Sequence, residues 1–75
     1  MSKYKLIIQK YEDNKLKRGY TKIDEGLQYK IISKKKEIPE GIVTQAISWI
    51  KALQHYPNEK DLISKGKKLE IILKD

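Results

Sequence analysis

The sequence contains no cysteine and no phenylalanine, and it has a single histidine. Without cysteine the chain has no disulfide bond, no thiolate metal site and no cysteine nucleophile. His55 stands alone, whereas a metal site needs several ligands and an activated nucleophile needs a paired base. The carboxylates are scattered through turns and helix ends, with no spacing that indicates acid–base chemistry. We therefore expect no enzymatic activity, no metal and no cofactor.

Long apolar runs are also missing. Residues 1–14 hold only a short apolar stretch, and no run approaches the roughly 18 apolar residues of a membrane span. We expect a soluble, cytoplasmic protein that does not enter a membrane. The 75 residues suffice for one compact domain over residues 1–75. The sequence gives no indication of the oligomeric state.

Arginine is nearly absent, although the net charge is +7. Arg18 is the only arginine among 17 basic residues. Because arginine is suited to bidentate guanine contacts, its scarcity argues against sequence readout in a major groove. Lysine suffices for diffuse phosphate binding, so the charge favours nucleic acid or an acidic protein surface as the partner. The richness in lysine and isoleucine is also typical of AT-rich genomes such as those of phages, where lysine serves solubility.

Residue periodicity predicts an α+β fold. Alternating apolar residues predict strands over residues 3–11, 16–23, 27–34 and 67–75. Apolar residues then recur at 42, 43, 46, 47, 50 and 53, which predicts a long helix that Pro57 ends, followed by a short helical turn. The order β-β-β-α-β predicts one long helix packed on one face of a mostly antiparallel sheet of about four strands. The crossover after the helix could place the last strand parallel to the first, as in β-grasp folds.

The same alternation gathers positive charge and tyrosine on the sheet face away from the helix. A face of this kind can follow a phosphate backbone while its aromatic rings stack on bases. Tyrosine is equally an ordinary strand residue that stabilises a sheet through cross-strand pairs. A slip of one residue in the weak second strand would move its tyrosine to the other face. The predicted nucleic-acid-binding residues of this face are Lys5, Tyr11, Arg18, Tyr20, Lys22, Lys30 and Lys34.

Three consecutive lysines, Lys34, Lys35 and Lys36, lie between the third strand and the long helix. The N-terminus of a helix can bind an anion, so these lysines are candidate phosphate contacts. The alternative is a solvated corner, because Glu37 and Glu40 already lie at the positive end of the helix dipole and repel phosphate. A specific phosphate cradle is not indicated, since the segment has no glycine-rich loop.

Trp49 and Tyr56 lie together on the flank of the helical stripe. They either cover the sheet edge or anchor a protein partner, since both residue types are enriched at interface hot spots. Two functions therefore stay open. The first is a sequence-nonspecific nucleic-acid-binding accessory protein that uses the Lys/Tyr face. The second is a non-catalytic protein-interaction or inhibitor module, of phage or mobile-element type, that binds an acidic protein surface.

Overall fold

The computed structural model describes residues 4–24, 26–34 and 36–74. The four strands form one sheet of order β2-β3-β1-β4, in which each neighbouring pair is antiparallel. The predicted α+β class and the four-stranded antiparallel sheet are thus confirmed. No helix within these ranges is long and apolar enough to cross a bilayer. The elements in chain order are β1 (Tyr4–Lys10), β2 (Thr21–Asp24), β3 (Leu27–Ser33), α1 (Glu40–Leu53), α2 (Pro57–Ser64) and β4 (Leu69–Leu73).

Two helices of 14 and 8 residues follow β3, rather than one long helix with a single extra turn. Tyr56 separates them with φ of −126° and ψ of 73°, because a residue that precedes proline is driven out of the α region. α2 begins with Pro57, whose missing N–H has no helical partner at this position in any case. Its other end is closed by Gly66 at φ of 117°, a conformation that glycine adopts without a Cβ clash.

β4 runs antiparallel to β1, with Leu6 opposite Ile71, so the prediction of a parallel first and last strand is wrong. β3 is also antiparallel to β1, and β4 is therefore parallel to β3. After β3 ends, the two helices carry the chain back along the sheet to the end where β3 started. The next strand must then run in the direction of β3, and the sheet lacks the parallel pair of a β-grasp fold.

Both helices pack on one side of the sheet, which we call the helix face. α1 contributes Ile42, Ala46 and Leu53 to the core, and α2 contributes Ile63. Ile47 belongs to the predicted apolar stripe but is 41% exposed, so the helix is rotated away from it. The buried sheet residues of this core are Tyr4, Leu6, Ile8, Leu27 and Leu73.

Residues 11–20, which we call the crossover segment, pass over the opposite side of the sheet, the outer face. β1 and β2 are both antiparallel to β3 and hence parallel to each other, so the chain must cross β3 to begin β2. The backbone N–H of Lys17 donates to Gln28 Oε1 at 2.7 Å, and Gln28 Nε2 donates to the carbonyl of Lys10 at 3.1 Å. Gln28 lies opposite Gln9 on the outer face yet is fully buried. The second predicted strand therefore shrinks to β2, because its first five residues belong to this segment.

Candidate nucleic-acid interface

Tyr20 lies where the crossover segment enters β2, beneath two ammonium groups. The Nζ atom of Lys17 lies 5.6 Å from the ring centroid, and that of Lys30 lies 5.9 Å from it. Thr21 is opposite Tyr29 and Lys22 is opposite Gln28, so the same ladder brings Tyr20 level with Lys30. Ammonium groups at this distance are attracted to the negative face of the ring. The ring therefore holds two cations at one point of the outer face.

A tight turn at Gly19 allows this arrangement. Gly19 has φ of 85°, a conformation that glycine adopts at no steric cost. The Nζ atom of Lys30 lies 3.7 Å from the position that a Cβ on Gly19 would take. The N–H of Tyr20 donates to the carbonyl of Lys17 across the turn at 3.0 Å. Glycine thus supplies the positive φ of the turn, whereas a Cβ at this position would meet Lys30 only at an ordinary van der Waals distance.

The positive charge of this region is only partly neutralised. Lys17 Nζ lies 3.8 Å from Glu12 Oε1, an exposed ion pair that contributes little. No carboxylate of the described residues forms an ion pair with Arg18, Lys22 or Lys30. We call the group of Lys17, Arg18, Tyr20, Lys22 and Lys30 the basic patch. It lies on the β2–β3 half of the outer face.

Lys5 lies on the β1–β4 half of the outer face, away from the basic patch. Its Cα is opposite Ile32 on one side and Ile72 on the other, and its Nζ lies 3.9 Å from Glu70 Oε1. The sequence-based face left out the last strand, which brings Glu70 and an exposed isoleucine next to this lysine. Lys5 therefore has an acidic neighbour and apolar ones, unlike the lysines of β2 and β3.

Tyr11 lies at the end of β1 and has different surroundings from Tyr20. Its N–H donates to the carbonyl of Gly26 at 2.7 Å. The residue lines a surface cavity of about 810 Å³ together with Asp13, Asn14 and Ser64 of α2. The structure thus brings Tyr20 into the basic patch, whereas Tyr11 belongs to the end of the sheet beside α2.

The lysines after β3 extend the positive surface along that strand. Lys34 and Lys36 are both exposed, while Lys35 lies outside the described residues. Lys34 follows Lys30 by four residues, which is about 13 Å along a strand. Lysines elsewhere are exposed as well, on α1, after α2 and beside β4, so the basic patch holds only part of the charge.

Trp49 and Tyr56 meet at a groove of about 480 Å³ between α1 and β4. Trp49 is 48% exposed and Tyr56 is 61% exposed. Ala52, Leu69 and Ile71 complete most of the apolar lining. The flank that the helical spacing predicted therefore lines an accessible groove beside the edge strand β4.

Sequence reasoning left out Lys17 and the two outer-face glutamines. Lys17 belongs to the predicted strand 16–23, whose alternation places it on the face opposite Tyr20. In the structure residues 16–20 are irregular chain, so that alternation does not apply. The only feature of the sequence that indicates a turn here, and hence a contact between Lys17 and Tyr20, is Gly19 directly before the tyrosine. Gln9 and Gln28 look like solvated strand residues, and only the path of the crossover segment buries them, to 4% and 0% exposure.

Comparisons with protein families, with curated proteins and with solved structures find no match to this chain. Within the described ranges, no group of three or more histidine and carboxylate side chains is arranged to hold a metal ion. The functional interpretation therefore starts from the two surfaces themselves, which are the basic patch and the groove between α1 and β4.

Proposed function

We infer that the protein binds nucleic acid without sequence preference and without catalysis, through the basic patch. The observation that supports this most is the pair of ammonium groups held over Tyr20, at 5.6 and 5.9 Å from its ring centroid. Lys22 lies on the same half of the outer face, opposite Gln28, and Arg18 is an exposed residue of the crossover segment between Lys17 and Tyr20. Neither has a carboxylate partner among the described residues. Four cations in this space suit the phosphates of a single strand, since each phosphate carries one negative charge.

The residue types favour backbone contact over base recognition. Three of the four cations are lysines, which act as point charges and do not offer the planar fork that reads guanine. Tyr20 is half-buried under its lysines, so its main role is to position ammonium groups. Three to four phosphate contacts on single-stranded DNA correspond to a slope of about −2 to −3 in log K against log salt, with a Kd near the micromolar range at low salt.

Reversing two charges of the basic patch should weaken binding at least tenfold at low salt. In the variant K22E/K30E two phosphate contacts are lost, so the salt slope should shrink by about 1.4. Fluorescence anisotropy with labelled single-stranded DNA, RNA and duplex DNA measures both quantities. The matched control is K68E/K74E, which changes the net charge equally at the opposite edge of the sheet. Equal weakening by the two variants would show attraction by net charge alone and remove the basic patch as the site.

Removing the Tyr20 ring should weaken binding about fivefold. Two exposed cation–π contacts contribute about 0.5–1 kcal/mol each, and part of this positioning is lost in Tyr20→Leu. Tyr20→Phe keeps the ring and should bind like the wild type. The same anisotropy titration decides this. Loss of binding in Tyr20→Phe would assign the hydroxyl group, and not the ring, to the interaction.

A further inference from the structure

β4 lies at an edge of the sheet, where its sole ladder partner in the described part of the chain is β1. The opposite edge strand, β2, has only four residues and a register shift between Lys22 and Asp24. Such a short, irregular edge resists pairing with another strand. β4 has five residues in regular register. Of the two edges, β4 is therefore the one suited to accept an additional strand.

The groove beside β4 would receive half of the side chains of such a strand. Leu69 and Ile71 point to the helix face and form one side of the groove, and Trp49 and Tyr56 form the other. Its volume of about 480 Å³ is in the range of sites that hold several apolar groups. Side chains alternate along a strand, so every second residue of an added strand would enter it.

The other face of β4 carries Glu70 and the apolar Ile72. Ile72 points to the outer face and is 60% exposed. The residues of an added strand that point away from the groove would lie beside it. Leu69 and Ile71 are partly buried on the helix face and Ile72 is exposed on the outer face. Both faces of this edge strand therefore present apolar surface, with Glu70 as the only charged residue inside the strand. An added strand would cover both.

Positive charge lies at each end of β4. Lys68 immediately precedes the strand and Lys74 immediately follows it, and neither forms an ion pair with a carboxylate of the described residues. Two carboxylates near β4 in the described ranges are paired with other lysines, with Glu59 Oε2 at 3.5 Å from Lys67 Nζ and Glu70 Oε1 at 3.9 Å from Lys5 Nζ. Cross-strand pairs of opposite charge stabilise a sheet, so carboxylates are favoured opposite both lysines.

We propose that β4 and this groove bind an extended segment of a partner protein, which adds a fifth strand and carries carboxylates at both ends of an apolar centre. The register defines the segment. It pairs with residues 68–73, with apolar residues opposite Leu69, Ile71 and Leu73 and a further one opposite Ile72. An acidic residue at each end faces the side chains of Lys68 and Lys74. Lys74 contributes only its side chain, because its N–H already donates to Gln45 Oε1 and its carbonyl accepts from Gln45 Nε2. Two copies of this chain are a poorer fit, because each carries a net charge of +7 and they repel each other.

The test selects ligands without assuming one. A displayed library of random peptides of about twelve residues, long enough to cover β4 and its flanking lysines, is enriched on the folded protein. Selected peptides should show apolar residues between two carboxylates. Their binding to the wild type is followed by the fluorescence of Trp49, which is the only tryptophan and lines the groove. The variants W49A and K68E/K74E, followed by anisotropy of labelled peptide, should each bind at least tenfold more weakly, whereas K22E/K30E should bind normally.

N-methylation of successive peptide bonds in the best peptide distinguishes strand addition from simple groove binding. A paired strand donates to β4 from alternate residues, so binding should be lost at every second position and kept at the others. Tolerance at all positions would overturn the proposal, as would a selection that yields no acidic–apolar peptide. Sedimentation of the protein alone provides the remaining check. A dimer that K68E/K74E strengthens or W49A dissolves would assign the surface to a second copy. The nucleic-acid proposal is tested by K22E/K30E, so a negative result in the peptide experiments would not bear on the basic patch.

Discussion

Replacing Ile63 with alanine should lower the free energy of unfolding by about 3 kcal/mol. Ile63 is completely buried, with 0% of its surface exposed. It is the only buried residue of α2 in the described part of the chain. Truncation of a buried isoleucine costs about 2–5 kcal/mol, because the site loses contacts and keeps a cavity. A domain of 75 residues has only about 4–11 kcal/mol in total. The substitution should therefore remove a large share of the stability and release α2 from the sheet.

Urea unfolding followed by circular dichroism measures this loss, and Leu62→Ala is the matched control. Leu62 is the preceding residue of the same helix but is 42% exposed, so its truncation should cost less than about 1 kcal/mol. Both substitutions have the same direct effect on helix propensity to within a few tenths of a kcal/mol. A similar loss in the two variants would mean that α2 is not fixed to the core through Ile63.

Replacing Gln28 with leucine should lower the free energy of unfolding by about 1–3 kcal/mol. Its amide accepts from the N–H of Lys17 and donates to the carbonyl of Lys10, which ties the crossover segment to the sheet. Leucine has a similar volume but removes both part-buried hydrogen bonds, each of which contributes about 0.5–1.5 kcal/mol. The crossover segment should then open locally, with faster hydrogen exchange at the Lys17 amide.

Gln9→Leu is the contrasting substitution, since Gln9 is equally buried on the outer face at 4% exposure. Its Oε1 atom has no hydrogen-bond partner among the described residues, and its Nε2 lies at 3.4 Å from Glu12 Oε1, a weak contact. Leucine removes an unsatisfied acceptor here, so stability should be unchanged or rise by up to about 1 kcal/mol. Equal destabilisation in the two glutamine variants would contradict the role given to Gln28.

Residue periodicity was sufficient for β1, β3, β4 and α1, because each of them presents alternate or helically spaced apolar residues to the core. The alternation of Leu6 and Ile8 on β1 places both in the core as expected. The prediction that Ile47 is a core residue was wrong, since it is 41% exposed. The six apolar positions of α1 cover a wider arc of the helix than the sheet contacts. Ile63 escaped notice because α2 carries one buried residue, and one residue has no period.

The directions of the strands depend on the paths of the connections between them, which residue periodicity does not reveal. The antiparallel β1–β4 pair follows from the span of the helical connection, and it could have been derived by counting crossings of the sheet. The parallel relation of β1 and β2 could not, because a crossover segment of irregular chain has no signature. Its path buries Gln28 and brings Lys17 to Tyr20, so the composition of the basic patch was only partly predictable.

The most direct test of the basic patch is an NMR titration of the protein with a short single-stranded oligothymidylate at low salt. Amide shifts should change over residues 17–22 and 28–32 and should reverse on addition of salt, because the contacts are ionic. The amides of α1 and β4 should stay in place. Shifts that are concentrated at Trp49 and β4, or spread evenly over all exposed lysines, would contradict a nucleic-acid interface on the β2–β3 half of the sheet.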